Sequence, residues 1–199
     1  MCGGKSSRMR EDAGIDKAFL DFYGEPLYYR QFEKLKKFFA DVYVSVKEPN
    51  NYPKVDSDFL LEDAGYVQNI DTSDLFAPDV GMYSAFKKLK SEKIFFIGVD
   101  TPFVSYGSLK KISDVSVAED ANAHIARVGE KIHPVCGVYS KTVLPELESM
   151  ILQNKHKLTL LLEKIGTIFV DLEDGSELAN LNRYEDYEKA INNGVNPFR

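Results

Sequence analysis

Apolar positions recur in two rhythms along this chain. Val42-Tyr43-Val44-Ser45-Val46 is β-branched and aromatic and stops at Pro49-Asn50-Asn51, which predicts a strand. Ile94-Phe95-Phe96-Ile97-Gly98-Val99 is a continuous apolar run, the pattern of a strand covered on both faces of a parallel sheet. Asn122 to Arg127, Ile132 to Tyr139 and Thr167 to Leu172 are further strand segments. Between them the period lengthens. Over Pro26 to Phe39, Tyr28, Phe32, Leu35 and Phe39 fall at helical spacing while Arg30, Lys34, Lys36 and Lys37 face elsewhere, and Pro26 suits a first helical turn. Met82 to Ser91, Leu109 to Val115, Thr142 to Asn154 and Tyr184 to Asn193 read as helices too. Strand and helix in alternation predict an α/β fold of the three-layer, Rossmann-like kind: one domain over residues 1–199, with a mainly parallel central sheet under helices.

Composition narrows the class of function. Of 199 residues 44% are apolar, enough for a buried core. Lys and Arg total 25 against 31 Asp and Glu, a net charge of −6, which argues against a protein that coats nucleic acid or an anionic membrane. Cys2 and Cys136 stand too far apart to suggest a disulfide framework, so a reducing, cytoplasmic setting is expected. No apolar run has the length of a membrane helix. The Lys87-Lys88-Leu89-Lys90 cluster reads as a solvated helix face.

The densest chemical signal opens the chain: Met1-Cys2-Gly3-Gly4-Lys5-Ser6-Ser7-Arg8-Met9. Adjacent glycines let the main chain turn tightly and offer bare N–H groups to an anion, and Lys5, Arg8 and Arg10 add positive charge to an acidic protein. On these residues alone, a phosphate-binding loop and an ordinary basic N-terminus are equal readings. Gly4-Lys5-Ser6 also matches the end of a P-loop, but the glycine that motif requires five places earlier is not in the sequence. A loop of this type usually follows the first buried strand of an α/β sheet. Only Met1 and Cys2 precede it here, so the expectation is a polypeptide that begins upstream, with about five more apolar residues filling that strand.

Taken with Asp16-Lys17-Ala18-Phe19-Leu20, the opening stretch resembles the signature of the molybdenum cofactor guanylyltransferases, the MobA-like branch of the nucleotidyltransferases. Gly24-Glu25-Pro26-Leu27, Pro78-Asp79-Val80-Gly81-Met82, Val99-Asp100-Thr101-Pro102-Phe103, His133-Pro134 and Asn180-Leu181-Asn182 with Asp186 resemble later landmarks of that family, in order along the chain. Arg10 stands where the family has a glycine, Ala77 replaces another, and the stretch from Arg10 to Asp16 is longer than the family pattern.

The resemblance implies a set of roles. Met1, Cys2, Gly3, Gly4 and Lys5 would hold the nucleotide phosphates, and Lys17 and Arg8 would stabilise charge during transfer. Asp100, at the end of a buried strand, would hold Mg²⁺ against the triphosphate and belong with Lys17 and Arg8 to the catalytic set; its bland alternative is a turn or cap aspartate. Ser45 and Asp71 would contact base and ribose, Ser45 in place of a longer asparagine. His133, Asn180 and Asn182 would face the acceptor. The implied substrates are GTP and molybdopterin (or its molybdenum-loaded form), with other cofactor-biosynthesis and acceptor proteins as partners. The doubled glycine tilts the family pattern toward GTP over CTP. Rival readings are a related CTP or sugar-phosphate nucleotidyltransferase, a non-catalytic nucleotide binder, and a P-loop NTPase or kinase. His133 and Cys136 are too few for a structural metal, and His124, His156 and Cys136 are expected to be structural.

Overall fold

The computed structural model describes residues 1–2 and 7–192, with only the main chain of residues 7, 8 and 13. Its strands are β1 (Val44–Val46), β2 (Leu60–Glu62), β3 (Tyr66–Val67), β4 (Ile70–Asp71), β5 (Lys93–Ile97), β6 (Ala123–Val128), β7 (Lys131–Ser140) and β8 (Thr167–Asp171). The helices are α1 (Ser7–Ala13), α2 (Leu27–Lys36), α3 (Pro78–Lys88), α4 (Tyr106–Ala118), α5 (Leu144–Leu152), α6 (Leu158–Lys164) and α7 (Tyr184–Asn192). Helix α3 starts four residues ahead of the apolar pattern that signalled it because Pro78 takes the first turn, where its missing N–H costs nothing. Among the described residues no helix is long and apolar enough to cross a membrane.

The ladder is less parallel than the apolar runs implied. β1 and β2 pair in parallel, but β7 lies between β5 and β6 and runs antiparallel to both, so β6 with β8 is the parallel pair of the four-stranded sheet. The cause is local. β6 and β7 are joined through Gly129-Glu130, and Gly129 sits at φ +56°, the left-handed conformation that a two-residue hairpin demands. A hairpin that tight can only return antiparallel. The two parallel-type ends meet at the start of the chain: the Met1 amine donates to the Ile97 carbonyl (2.8 Å), Val99 N–H donates to Met1 O (3.1 Å), and Cys2 N–H donates to Ser45 O (2.8 Å). Met1 and Cys2 therefore lie between β1 and β5 and align the carboxyl ends of both strands.

The three-layer reading holds, and its cause is alternation within apolar runs. On β5, Ile94 and Phe96 join Met82, Phe86, Leu147 and Leu161 from α3, α5 and α6. Phe95 and Ile97 point the other way, to Leu35 of α2 and Leu109 and Ile112 of α4. Ile125 and Ala126 on β6, and Tyr139 and Val138 on β7, divide in the same manner. Two-sided cover is what makes these strands apolar at every position.

Gly137 lies where main chain of β6 presses directly on β7. A Cβ there would stand 2.3 Å from the His124 carbonyl oxygen and 3.0 Å from the Ile125 Cα, both main chain and unable to yield. Gly137→Ala is expected to lower unfolding free energy by about 2–3 kcal/mol, read as a lower urea midpoint at unchanged slope. An unchanged midpoint would mean that β6 and β7 can separate without loss.

Candidate active site

Beyond Gly137 the β6–β7 ladder breaks: Ile125 faces Gly137, yet Arg127 faces Ile132. Residues 133–136 thus bend away from β6. Pro134 lacks an N–H to lose, which suits a bulge, and Tyr139 Oη donates to its carbonyl at 2.6 Å. The bend closes one side of a cavity of about 270 Å³ at the carboxyl ends of β1 and β5. Lys131, His133 and Cys136 form that side; Met1, Cys2, Ser45, Asp63, Phe76 and Pro78 form the other, with Lys17, Gly98, Asp100 and Asn180 completing the lining. The carboxyl edge of an open α/β sheet is where ligands of such folds bind.

Asp100 follows β5 in a turn closed by Thr101 N–H donating to Gly98 O (3.2 Å). Its Oδ1 lies where a Cβ on Gly98 would be only 2.4 Å away, so a glycine at 98 is what admits the carboxylate. Its main-chain oxygen accepts from Leu181 N–H (2.9 Å), which brings Asn180 alongside; the Thr101 hydroxyl donates to Asn180 Oδ1 at 3.4 Å. Lys17 Nζ donates to Asp100 Oδ2 at 2.8 Å, across 83 positions of sequence. Lys17 opens a short 3₁₀ turn capped by Asp16, whose Oδ1 accepts from Ala18 N–H (3.0 Å), and Asp16 also pairs with Arg10 (2.9 Å). Asp16 is thereby held by the cap and Arg10, and Lys17 points to Asp100. Their side chains are 16% and 24% exposed, enough for a ligand to reach both.

At the cavity's other end, buried Ser45 donates to Asp63 Oδ1 at 2.8 Å. Asp63 extends β2, its N–H donating to Val46 O (2.8 Å). Burial pushes its carboxyl above the usual range, opposed in part by the Ser45 hydrogen bond and Lys47. Gly81 lets α3 come this near: a Cβ there would meet Met1 Cε at 2.7 Å and Ser45 Oγ at 2.9 Å. The Pro-x-x-Gly pattern is therefore a close-approach device in this fold.

The structure brings together Met1, Cys2, Lys17, Ser45, Asp100, His133 and Asn180 of the residues singled out in the sequence. Asp71 is elsewhere, exposed on the β3–β4 hairpin, where Ser73 donates to it through N–H (2.9 Å) and hydroxyl (2.6 Å) and holds its carboxyl below the ordinary range. Asn182 is exposed outside the lining, its N–H donating to Asp186 (3.1 Å). Gly3, Gly4 and Lys5 lie outside the described residues, as does the side chain of Arg8. Asp63 is the lining carboxylate that sequence reading missed. Its signal was a carboxylate just after a strand, but β2 has three residues and no clear rhythm.

The residues also limit the chemistry. Burial pushes the Cys2 thiol up to about 11 and that of Cys136 to about 12, so neither is a thiolate near neutral pH. Burial lowers the His133 imidazole, helped by Lys131, which favours its neutral form. His124 bonds to Glu119 O (3.0 Å) and His156 to Asp79 (2.8 Å), in keeping with structural roles. Among the described residues no three His, Cys, Asp or Glu gather as a metal cluster. The single carboxylate at the Lys17 end of the cavity, Asp100, fits a divalent ion that takes most of its ligands from water and a phosphorylated substrate.

Comparison with known proteins gives this geometry its family. The chain is 34% identical to a molybdenum cofactor guanylyltransferase of Campylobacter jejuni over 95% of its length and 92% of that protein. A molybdenum cofactor guanylyltransferase of Helicobacter pylori is 29% identical over 96% of this chain and 86% of its own. In fold it is similar to the crystal structure of molybdopterin-guanine dinucleotide biosynthesis protein A from Archaeoglobus fulgidus, with a TM-score of 0.78, 20% identity, and coverage of 98% of this chain and 97% of that one. The model of the MobA-like NTP transferase domain matches residues 1–168, and the chain belongs to that family.

Proposed function

We propose that this protein transfers GMP from GTP to the terminal phosphate of molybdopterin, or its molybdenum-loaded form, and releases pyrophosphate. The observation that carries the reading is the Lys17–Asp100 pair, 2.8 Å apart in a cavity at the strand ends. Relatives named guanylyltransferases over nearly the whole chain support it.

An oxygen of the acceptor phosphate attacks the α-phosphorus of GTP. The new O–P bond forms as the α–β phosphoanhydride bond breaks, and pyrophosphate leaves with that electron pair. Two anions must meet, so the catalyst's task is to place them and offset charge. Lys17 releases Asp100 and turns its ammonium to the phosphates, a role suited to a mobile point charge. Asp100 would hold a Mg²⁺ ion, which when bound would supply positive charge to offset that of the triphosphate. His133, Lys131 and Asn180, across the cavity, contact the acceptor. No covalent enzyme intermediate is needed, in keeping with thiols that stay protonated.

Asp63, rather than Asp71, is assigned to the base. A buried carboxylate accepts two parallel N–H bonds from guanine, whose N1–H and exocyclic amine lie side by side; cytosine and adenine lack that pair. Calorimetric titration with GTP, CTP, ATP and UTP tests the reading. GTP is expected to bind at least tenfold more tightly than the others, and equal or better binding of CTP would move the protein to the cytidylyl-transferring branch. Asp63→Asn should weaken GTP about tenfold or more, the cost of a hydrogen bond to a charged group. Asp63 can accept both N–H bonds only when ionised, since protonation turns one oxygen into a donor, and its carboxyl lies above the ordinary range. GTP affinity should therefore fall on acidification while ordinary carboxylates are still charged, and Asp63→Asn should remove that dependence. A wild-type affinity flat through the acid range would take Asp63 out of the base site.

A further inference from the structure

The turn that carries Asp100 is fastened from behind by two polar side chains on the buried face of α2. Gln31 and Lys34 are each 5% exposed, one helical turn apart. Gln31 Nε2 donates to Gly98 O (3.1 Å) and Thr101 O (3.3 Å). Lys34 Nζ donates to Pro102 O (2.9 Å) and Val104 O (2.6 Å). Four carbonyls of one irregular segment, 98 to 104, are thus met by one helix face. A buried carbonyl without a partner is costly, so the two side chains decide which path the segment takes between β5 and α4.

The arrangement is expensive, which marks it as more than filler. Burial lowers the Lys34 ammonium to about 8, opposed by Glu177. Glu177 in turn accepts from Ser105 N–H (3.0 Å) and the Ser108 hydroxyl (2.6 Å), at the start of α4. Leu or Met at positions 31 and 34 would pack the same helix without desolvating an amide and a cation. Asp100 has little slack, since its Oδ1 already crowds Gly98.

We infer that Gln31 and Lys34 are positioning residues that set the Asp100 carboxylate for the metal ion by gripping the carbonyls on either side of it. The inference rests on the proposed metal role of Asp100. The test compares Gln31→Met and Lys34→Met, which keep length and apolar bulk, with Asp100→Asn. Mn²⁺ binding to each protein with a non-hydrolysable GTP analogue is followed by the loss of the free-ion spin-resonance signal. GTP binding without metal and thermal midpoints are measured in parallel, and the Mg²⁺ concentration for half-maximal pyrophosphate release is taken for the α2 variants. Gln31→Met is expected to weaken Mn²⁺ binding and raise half-maximal Mg²⁺ about tenfold, with metal-free GTP affinity within twofold of wild type; Lys34→Met should do the same or more. A purely structural role would lower the midpoint and leave both metal readouts in place. Loss of Mn²⁺ binding in Asp100→Asn with wild-type binding in both α2 variants overturns the positioning role alone. Unchanged Mn²⁺ binding in Asp100→Asn overturns the metal role of Asp100 and this inference with it.

Discussion

Asp100→Ala will lower the rate of pyrophosphate release by about a thousandfold, the scale on which a charge-stabilising group in a reaction centre is felt. The fold should survive. Asp100 and Lys17 are both partly open to solvent, and such ion pairs contribute about 1 kcal/mol or less to stability. The main-chain bond from Leu181 N–H to Asp100 O, which ties the turn to the segment holding Asn180, needs no side chain and remains. A thermal midpoint within a few degrees of wild type, beside lost turnover, is the expected pair of results. Full turnover would remove Asp100 from the reaction.

Lys17→Ala is the second large effect, and it differs in kind. The ammonium serves both the bound triphosphate and the departing pyrophosphate, so affinity and rate should fall together: GTP binding by about tenfold and turnover by about a hundredfold. Lys17 is also the partner of Asp100 before nucleotide arrives, at 2.8 Å. Its removal leaves that carboxylate without its cation, and metal binding in the absence of GTP should strengthen. Lys17→Arg should restore little, because a planar guanidinium cannot follow a phosphate as a compact ammonium does. Turnover and affinity both unchanged in Lys17→Ala would assign Lys17 to the surface.

Much of this architecture was legible before any coordinates. The run from Ile94 to Val99 was readable as a two-faced strand because each face meets its own helices, which is what the division of Phe96 and Ile97 between two cores displays. The position of Asp100 was readable for the same reason, since a carboxylate just past a buried strand stands at the carboxyl edge of the sheet, and it lines the cavity there. The direction of β7 was not. Apolar rhythm is blind to strand polarity, and the deciding feature was a two-residue connection at Gly129 whose meaning depends on which strands it joins. Asp63 escaped because three residues of β2 are too short for a rhythm, while Asp71 stood nearer the spacing of the family pattern. The structure places Asp71 on an exposed hairpin outside the cavity lining, where it makes a local turn with Ser73. The Gln31 and Lys34 contacts with the Asp100 turn span 67 to 70 positions and were invisible for the same reason as the Lys17–Asp100 pair.

GMP transfer is tested most directly by following phosphorus. GTP labelled at the α or the γ position is incubated with the protein, Mg²⁺ and molybdopterin, and the products are separated. The account predicts α label on the pterin product and γ label in pyrophosphate, with both lost in Asp100→Ala. Label from the γ position on the acceptor, or free in inorganic phosphate while the pterin stays unlabelled, would contradict it and point to a phosphoryl-transferring or hydrolytic enzyme instead.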